Sequence, residues 1–304
     1  MAWLGEKMSN KIIIATDSSC DLSPELIKEH DIRVIPLHVN FEDKEYKDGV
    51  DIDLTKMFAK VETSGKLPKT SAVAPGEFVE FFKKLLKEDE EAHIIYTGIG
   101  SALSTTFQSA TLAKEIIGSD RIHLLDSKNL STGIGLILLK ASVYRSLGWN
   151  IEKVVRKLNL LIPKVKVQFV IKTLEYLRKG GRCKTLTFII GTLLKIRPMI
   201  AVREGRLVVG RKVIGPMRKA CLDMMKIFDR DIDKIDPEFV FITHCSGEES
   251  VDILAKEVNK YDKIENLYVT QAGCTIGTHC GPGCIGILYI LKDENVELEF
   301  DDEE

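Results

Sequence analysis

The sequence predicts an α/β fold, with a Rossmann-like parallel sheet in its first half and a second α/β domain with a mixed sheet behind it. Three observations predict this. Short β-branched runs alternate with helix-period segments along the whole chain. Ser23 and Pro24 place an N-cap and a first helical residue between two such runs, the pattern of a βαβ unit. Arg203-Glu204-Gly205-Arg206 separates two apolar runs as a hairpin turn does, so antiparallel pairing belongs to the second half.

The elements follow in order. Lys11 to Thr16 reads as a strand, Leu26 and Ile27 sit on the helix opened by Pro24, and Arg33 to Val39 reads as the next strand. A helix from Pro75 to Lys87, a strand from His93 to Tyr96, a helix from Thr106 to Ile117 and a strand from Arg121 to Leu125 continue the alternation. Helices at Thr132 to Leu147 and Ile151 to Leu161 are separated by Gly148-Trp149-Asn150, a stop and a cap. The boundary falls near Pro163, which gives an N-terminal domain over 11–162 and a C-terminal domain over 163–300. In the latter, strands are expected at Val165–Ile171, Met199–Val202, Arg206–Lys212, Val240–Thr243, Leu267–Thr270 and Ile285–Ile290. Helices fit Met217–Phe228 and Ser250–Tyr261.

At 304 residues, 44% apolar and 29% charged, the chain is of the globular class and long enough for two lobes. A net charge of −2 lacks the basic excess that counterion release needs, which argues against nucleic acid as a partner. The longest apolar runs, Ile134 to Leu139 and Phe188 to Leu194, fall short of the roughly 20 residues of a membrane span and are closed by Lys140 and Lys195. Met1 to Asn10 carries no apolar export core, and Met8 reads as an alternative start or the end of an appended leader. Seven cysteines, an odd number scattered along the chain, favour reduced thiols, and the expected compartment is the cytoplasm. The acidic Asp301-Asp302-Glu303-Glu304 reads as a solvated, frayed tail.

In α/β sheets, ligands gather where strands hand over to helices, because free N–H groups and helix starts there stabilise anions. Three loops of this sequence are rich in hydroxyls and glycine. Thr70-Ser71 precedes the helix started by Pro75, where a hydroxyl pair either binds an anion or satisfies its own backbone. Gly98 to Ala110, GIGSALSTTFQSA, opens like a dinucleotide fingerprint but has Leu103 at the third glycine position and no P-loop lysine. Its Ser101, Ser104, Thr105 and Thr106 form either an anion cradle or a structural cap and turn. Gly273 to Gly286, GCTIGTHCGPGCIG, reads as a loop whose backbone approaches a ligand closely, with His279 inside it.

Cys274, Cys280 and Cys284 with His279 raise a metal site, but their spacing does not match the zinc classes. Gly273 to Gly277 has the outline of a nucleophile elbow with Thr275 where serine is expected. In LEYLRKGGRCKT a short helix stops at Gly180-Gly181 and presents Arg182, either an ordinary ion-pair partner or a clamp for carboxylate or phosphate.

Taken in order, these segments resemble the DegV family, whose members include the fatty-acid-binding subunits of bacterial fatty acid kinase. The motifs are IIIATDSSCDL (Asp17, Ser18, Ser19, Asp21), YKDGVDID, KTSAVAPGEF, GSALSTTFQSA, LEYLRKGGR, LLKIRPMI and IGTHCGPGCIG, spanning Lys11 to Leu291. The resemblance implies a two-lobed protein without cofactor or catalysis of its own, enclosing one long-chain fatty acid. The tail would lie in an apolar tunnel. The carboxylate-end role falls to Thr70, Ser71, Ser101, Ser104 and His279, with Arg182 nearby. It also implies an ATP-dependent kinase subunit as partner, phosphorylating the bound carboxylate for phospholipid synthesis. The chain departs from the family where Ala72, Val73 and Ala74 follow the Thr-Ser pair, where Thr105 replaces a glycine, and where Ile214-Gly215 replaces an arginine in the Lys212–Pro216 stretch. Arg211 or Arg218 would then face the partner.

Two other readings compete. Ser104 or a cysteine as nucleophile with His279 as base would make an acyl-transfer or hydrolytic enzyme. An interaction protein with a vestigial lipid site would leave the same residues without a binding role.

Overall fold

The computed structural model describes residues 11–41, 44–181 and 196–292. Met1 to Asn10, Arg182 and the acidic tail lie outside the described residues.

The first half is built on four parallel strands in the order β2-β1-β6-β7: β1 (Ile12–Asp17), β2 (Ile32–Ile35), β6 (His93–Tyr96) and β7 (Ile122–Leu124). The chain leaves β1 for β2 on one side and later returns to add β6 on the other. The β1/β6 seam is therefore a topological switch point, where the loops at the strands' carboxyl ends diverge and leave a crevice. Between β1 and β2 lies α1 (Pro24–Glu29), whose first turn is capped by Ser23 Oγ accepting from Leu26 N at 3.3 Å.

The strand expected over Arg33 to Val39 is two strands. Pro36 has no N–H to give a ladder, so β2 ends before it and β3 (His38–Phe41) starts a different sheet. That sheet is antiparallel, in the order β4-β3-β5, with β4 (Lys44–Lys47) and β5 (Lys69–Ser71). Between them runs α2 (Leu54–Ser64), capped by Asp53 and ended by Gly65 at φ +66°. No element was expected between residues 40 and 74, and Thr70-Ser71 thus lie on a strand rather than in a loop.

The other first-half helices agree with the periodicity. On α3 (Pro75–Glu88), Phe78, Phe82 and Leu85 fall on one buried face, and the two rings pack edge-on to Tyr96 with centroids 5.2 and 5.8 Å away. α4 (Thr106–Ile117) ends on Gly118 at φ +68°. In α5 (Thr132–Ser146), every residue from Thr132 to Ser142 is buried, because this helix packs on β1 and also on two strands of the second sheet, Val165–Val170 and Cys284–Leu291. Its Lys140 ammonium is held 2.6 Å from Asp236 and beside Glu238. α6 (Ile151–Leu161) is capped by Asn150 as expected.

The second sheet has six strands in the order β10-β9-β8-β13-β11-β12: β8 (Val165–Val170), β9 (Ile196–Arg203), β10 (Arg206–Ile214), β11 (Ile235–Cys245), β12 (Leu267–Gln271) and β13 (Cys284–Leu291). Only β11 and β12 pair in parallel, so the sheet is mixed, as expected. Glu204 and Gly205, at φ +49° and +78°, form the two-residue turn between β9 and β10. α8 (Met217–Asp231) and α9 (Glu248–Val258) cover the outer face, and a five-residue helix, α7 (Glu175–Lys179), follows β8. The Gly273–Gly286 segment is not all loop: residues 274–280 form a helix, α10 (Cys274–Cys280). Among the described residues, no helix is long and apolar enough to cross a membrane.

Candidate functional site

A cavity of about 500 Å³ opens beyond the carboxyl ends of β1 and β6. One wall is the loop after β6, from Ser101 to Thr105; another is Thr70 to Ala72 on and after β5; a third is α10, with Thr275, Ile276, His279 and Cys280. Leu37, Ile99, Leu130, Phe169, Leu177 and Leu207 supply apolar surface between them. A narrower inner space, about 20 Å³, adjoins it through the shared residues Leu130, Phe169, Ile276 and Cys280. Its further lining includes Val167, Cys245, Ala272, Cys284 and Leu288.

Thr70, Ser71, Ser101, Ser104 and His279 all line the outer chamber. Arg211 and Arg218 are exposed and lie outside its lining. His279 Nε2 and Thr70 Oγ1 are 2.8 Å apart, a hydrogen bond between residues 209 positions apart. Ser71 Oγ accepts from Asn40 Nδ2 at 2.8 Å. Ser101 gives its hydroxyl proton to Asp126 Oδ2 at 2.6 Å and its N–H to Oδ1 at 3.0 Å, so its side chain offers lone pairs to the chamber rather than a proton. Ser104 Oγ lies 2.9 Å from Thr106 Oγ1 and accepts from Thr106 N, the first N–H of α4, at 3.2 Å, so it steadies the helix start as well as forming a wall. The hydrogen bonds of Ser104 thus run to Thr106, while His279 Nε2 faces Thr70.

Gly98 and Gly180 have site-specific reasons. A Cβ at Gly98 would stand 2.1 Å from Asp17 Oδ2, so this glycine serves a close approach to a carboxyl rather than to a dinucleotide. Asp17 is fully buried, and it accepts from Ile99 N at 2.9 Å, Ser19 N at 3.0 Å and Tyr96 Oη at 3.1 Å, fixing the loop after β6. Burial pushes its carboxyl up despite those donors. A Cβ at Gly180 would stand 2.2 Å from His279 Nδ1, so only glycine lets the end of α7 lie against the imidazole.

Two carboxyls from the first half hold α10 in place. Asp48 accepts from Cys274 N at 2.8 Å and Thr275 N at 2.9 Å, and Asp21 accepts from Gly273 N at 2.8 Å. These are the first-turn N–H groups that a helix leaves without internal partners. Asp48 also accepts from Ser18 Oγ at 3.3 Å, and Ser18 Oγ accepts from Leu37 N at 3.0 Å. The IIIATDSSCDL and YKDGVDID motifs therefore carry a strap that sets where His279 stands. Sequence order alone gave no hint of that contact, which joins residues more than 220 positions apart. Burial raises Asp21 from the ordinary carboxyl range to about 8, against the pull of its Ser131 and Gly273 donors.

Cys245, Cys280 and Cys284 are free, buried and close to one another. Those contacts and burial push Cys284 well up, which keeps the inner wall neutral. Among the described residues, no group of three or more His, Cys, Asp or Glu is arranged to hold a metal ion.

Thr275 is a lining residue that the loop reading did not assign to the ligand. Its hydroxyl oxygen is buried and has no hydrogen-bond partner among the described residues.

Comparison with known proteins agrees with this architecture. A family model described as "Uncharacterised protein, DegV family" matches residues 11–292. A DegV domain-containing protein of Caldanaerobacter subterraneus subsp. tengcongensis is 35% identical over 284 residues, covering 93% of this chain and 99% of that one. The solved structure titled "Fatty Acid Binding of a DegV family Protein from Thermus thermophilus" superimposes with a TM-score of 0.86 at 30% identity, over 92% of this chain and 99% of that chain. A structure of DegV from Bacillus subtilis, described as a fatty acid binding protein, gives 0.83 at 29% identity, over 93% and 100% of the two chains.

Proposed function

The chain belongs to the DegV family, and we propose that it binds one long-chain fatty acid, with the carboxylate in the outer chamber and the tail directed into the inner one. The observation that carries this reading is the composition of two adjoining spaces: seven hydroxyl or imidazole residues line the outer one, and leucine, isoleucine, phenylalanine and neutral thiols lead away from them into the inner one. The related Thermus and Bacillus proteins are described as fatty-acid binders.

Thr70, Ser71, Ser104 and His279 supply the donors for the carboxylate, and Ser101 supports the loop through Asp126. A carboxylate leaving water needs such donors, and hydroxyls with an imidazole meet that need without a fully buried ion pair. Ten buried methylenes contribute about 8 kcal/mol at ~0.8 kcal/mol each, so the tail dominates affinity. The inner space, about 20 Å³, is smaller than a hydrocarbon tail, so this reading requires its lining side chains to move when the tail enters.

The protein performs no catalysis of its own in this reading. It presents the carboxylate to a separate ATP-using kinase subunit, and the exposed Arg211 and Arg218 face that partner. The compartment is the cytoplasm, in keeping with six free, buried cysteines among the described residues.

Native mass spectrometry of protein purified from a bacterial host tests the reading. A co-purified acyl mass, exchangeable with added palmitate or oleate, is expected. A chain that stays ligand-free and gains no mass from either acid contradicts it.

A further inference from the structure

Two side chains that do not line the outer chamber set the polarity of hydroxyls that do, in opposite senses. Asn40 Nδ2 donates to Ser71 Oγ at 2.8 Å, so Ser71 keeps its own proton for a ligand. Asp126 takes the proton of Ser101 at 2.6 Å, so Ser101 is left with lone pairs alone.

The Asp126 carboxyl meets three donors. Ser101 N at 3.0 Å and Lys128 N at 3.1 Å reach Oδ1, and the Ser101 hydroxyl reaches Oδ2. Accepting at every contact is the behaviour of an ionised carboxylate. Lys128 meets it through the backbone, and among the described residues no ion pair offsets its charge. The two bonds to Oδ1 tie the loop after β6 to the loop after β7, a task any acceptor in that place performs. The bond to Oδ2 does something else: it fixes which way one chamber hydroxyl points. A ligand carboxylate near Ser101 finds no proton there and meets a like charge one hydroxyl behind the wall, a repulsion stronger in a partly enclosed site than in water. A head group that donates a proton, such as an alcohol, meets neither obstacle.

We propose that Asp126 is a positioning residue for the head group: acting through Ser101, it denies a carboxylate the Ser101 side of the chamber and directs it to Thr70, Ser71 and His279; this rests on the fatty-acid reading above. The chamber then discriminates by repulsion on one wall as well as by attraction on the others.

The test is a binding titration of palmitate and hexadecanol against the wild-type protein, Asp126→Asn, and Asp126→Asn combined with Ser101→Ala. Asparagine keeps an oxygen for the two backbone N–H groups and turns its NH2 towards Ser101 Oγ, which removes the charge and releases the hydroxyl proton to the chamber. The affinity for palmitate relative to hexadecanol should rise roughly threefold to tenfold, the worth of one hydrogen bond. A purely structural role for Asp126 would weaken both ligands together and leave that ratio unchanged. Adding Ser101→Ala should take back part of the rise; a rise it leaves untouched would overturn the route through Ser101. A thermal melt accompanies each variant, and if Asp126→Asn does not fold, Asp126→Ser, also uncharged, should move the ratio in the same direction. If palmitate binds the wild type and the ratio does not rise in the folded variant, the assignment of Asp126 is wrong while the fatty-acid reading survives. If palmitate does not bind the wild type, both fall.

Discussion

The outer and inner chambers share Leu130, Phe169, Ile276 and Cys280 in their linings yet are built on opposite principles. The outer one places Thr70, Ser71, Ser104 and His279 on three separate elements and ties each into a hydrogen bond, so its polar groups are fixed before any ligand arrives. The inner one is closed by Val167, Leu288, Ala272 and three thiols, with little free space. The contrast separates the polar groups that would orient a ligand from the apolar surface that would hold it. In the proposed function, fixed donors choose which end of an amphiphile enters, and apolar burial determines how tightly it stays.

The largest way to break that division is to close the passage. Cys280→Phe puts an aromatic ring where the chambers join, and loss of only four buried methylenes at ~0.8 kcal/mol each weakens binding more than about hundredfold. Palmitate titration beside a thermal melt checks it; unchanged affinity in a folded variant would mean the tail does not pass Cys280.

His279→Ala comes next. A hydrogen bond to a charged group is worth about 1.5–3 kcal/mol, so palmitate binding should weaken roughly tenfold to hundredfold. The affinity of hexadecanol, which has no carboxylate, should move far less. Equal losses for acid and alcohol would place the head group elsewhere.

A smaller effect sharpens the role of the strap that holds α10. The folded protein keeps a proton on Asp21 up to about pH 8, whereas the unfolded chain releases it near pH 4. The stability this supplies is complete below about pH 4 and is lost as pH rises towards 8. Asp21→Asn cannot lose a proton, so its urea midpoint should fall less than the wild type's across that window. Parallel slopes would contradict the raised carboxyl.

Ser101→Ala should be the mildest, within about twofold on palmitate affinity, because the Ser101 proton is committed to Asp126 and a ligand gains little from it. A tenfold loss would show that Ser101 turns towards the carboxylate.

The alternation of strands and helices was readable because each element carries a local signal: Ser23 and Asn150 cap, Gly118 stops, and Phe78, Phe82 and Leu85 mark a face. The β4-β3-β5 sheet was not. β4 reads Lys-Glu-Tyr-Lys, without an alternating apolar pattern, and Pro36 sits inside an apolar run that looks continuous. The polar residues of the outer chamber were readable as hydroxyl-rich segments and through the family pattern. Their mutual geometry was not, since Thr70 meets His279 across 209 positions and Asp48 meets Cys274 across 226. Thr275 was hidden for a related reason: in a loop its hydroxyl would meet water, and only the fold of α10 buries it.

A crystal structure of the protein grown with palmitate tests the central claim most directly. The account predicts one elongated density, with its carboxylate within hydrogen-bond distance of Thr70 and His279 and its chain running past Cys280 towards Leu288. Density in the reverse direction, or an empty cavity at saturating palmitate, would contradict it.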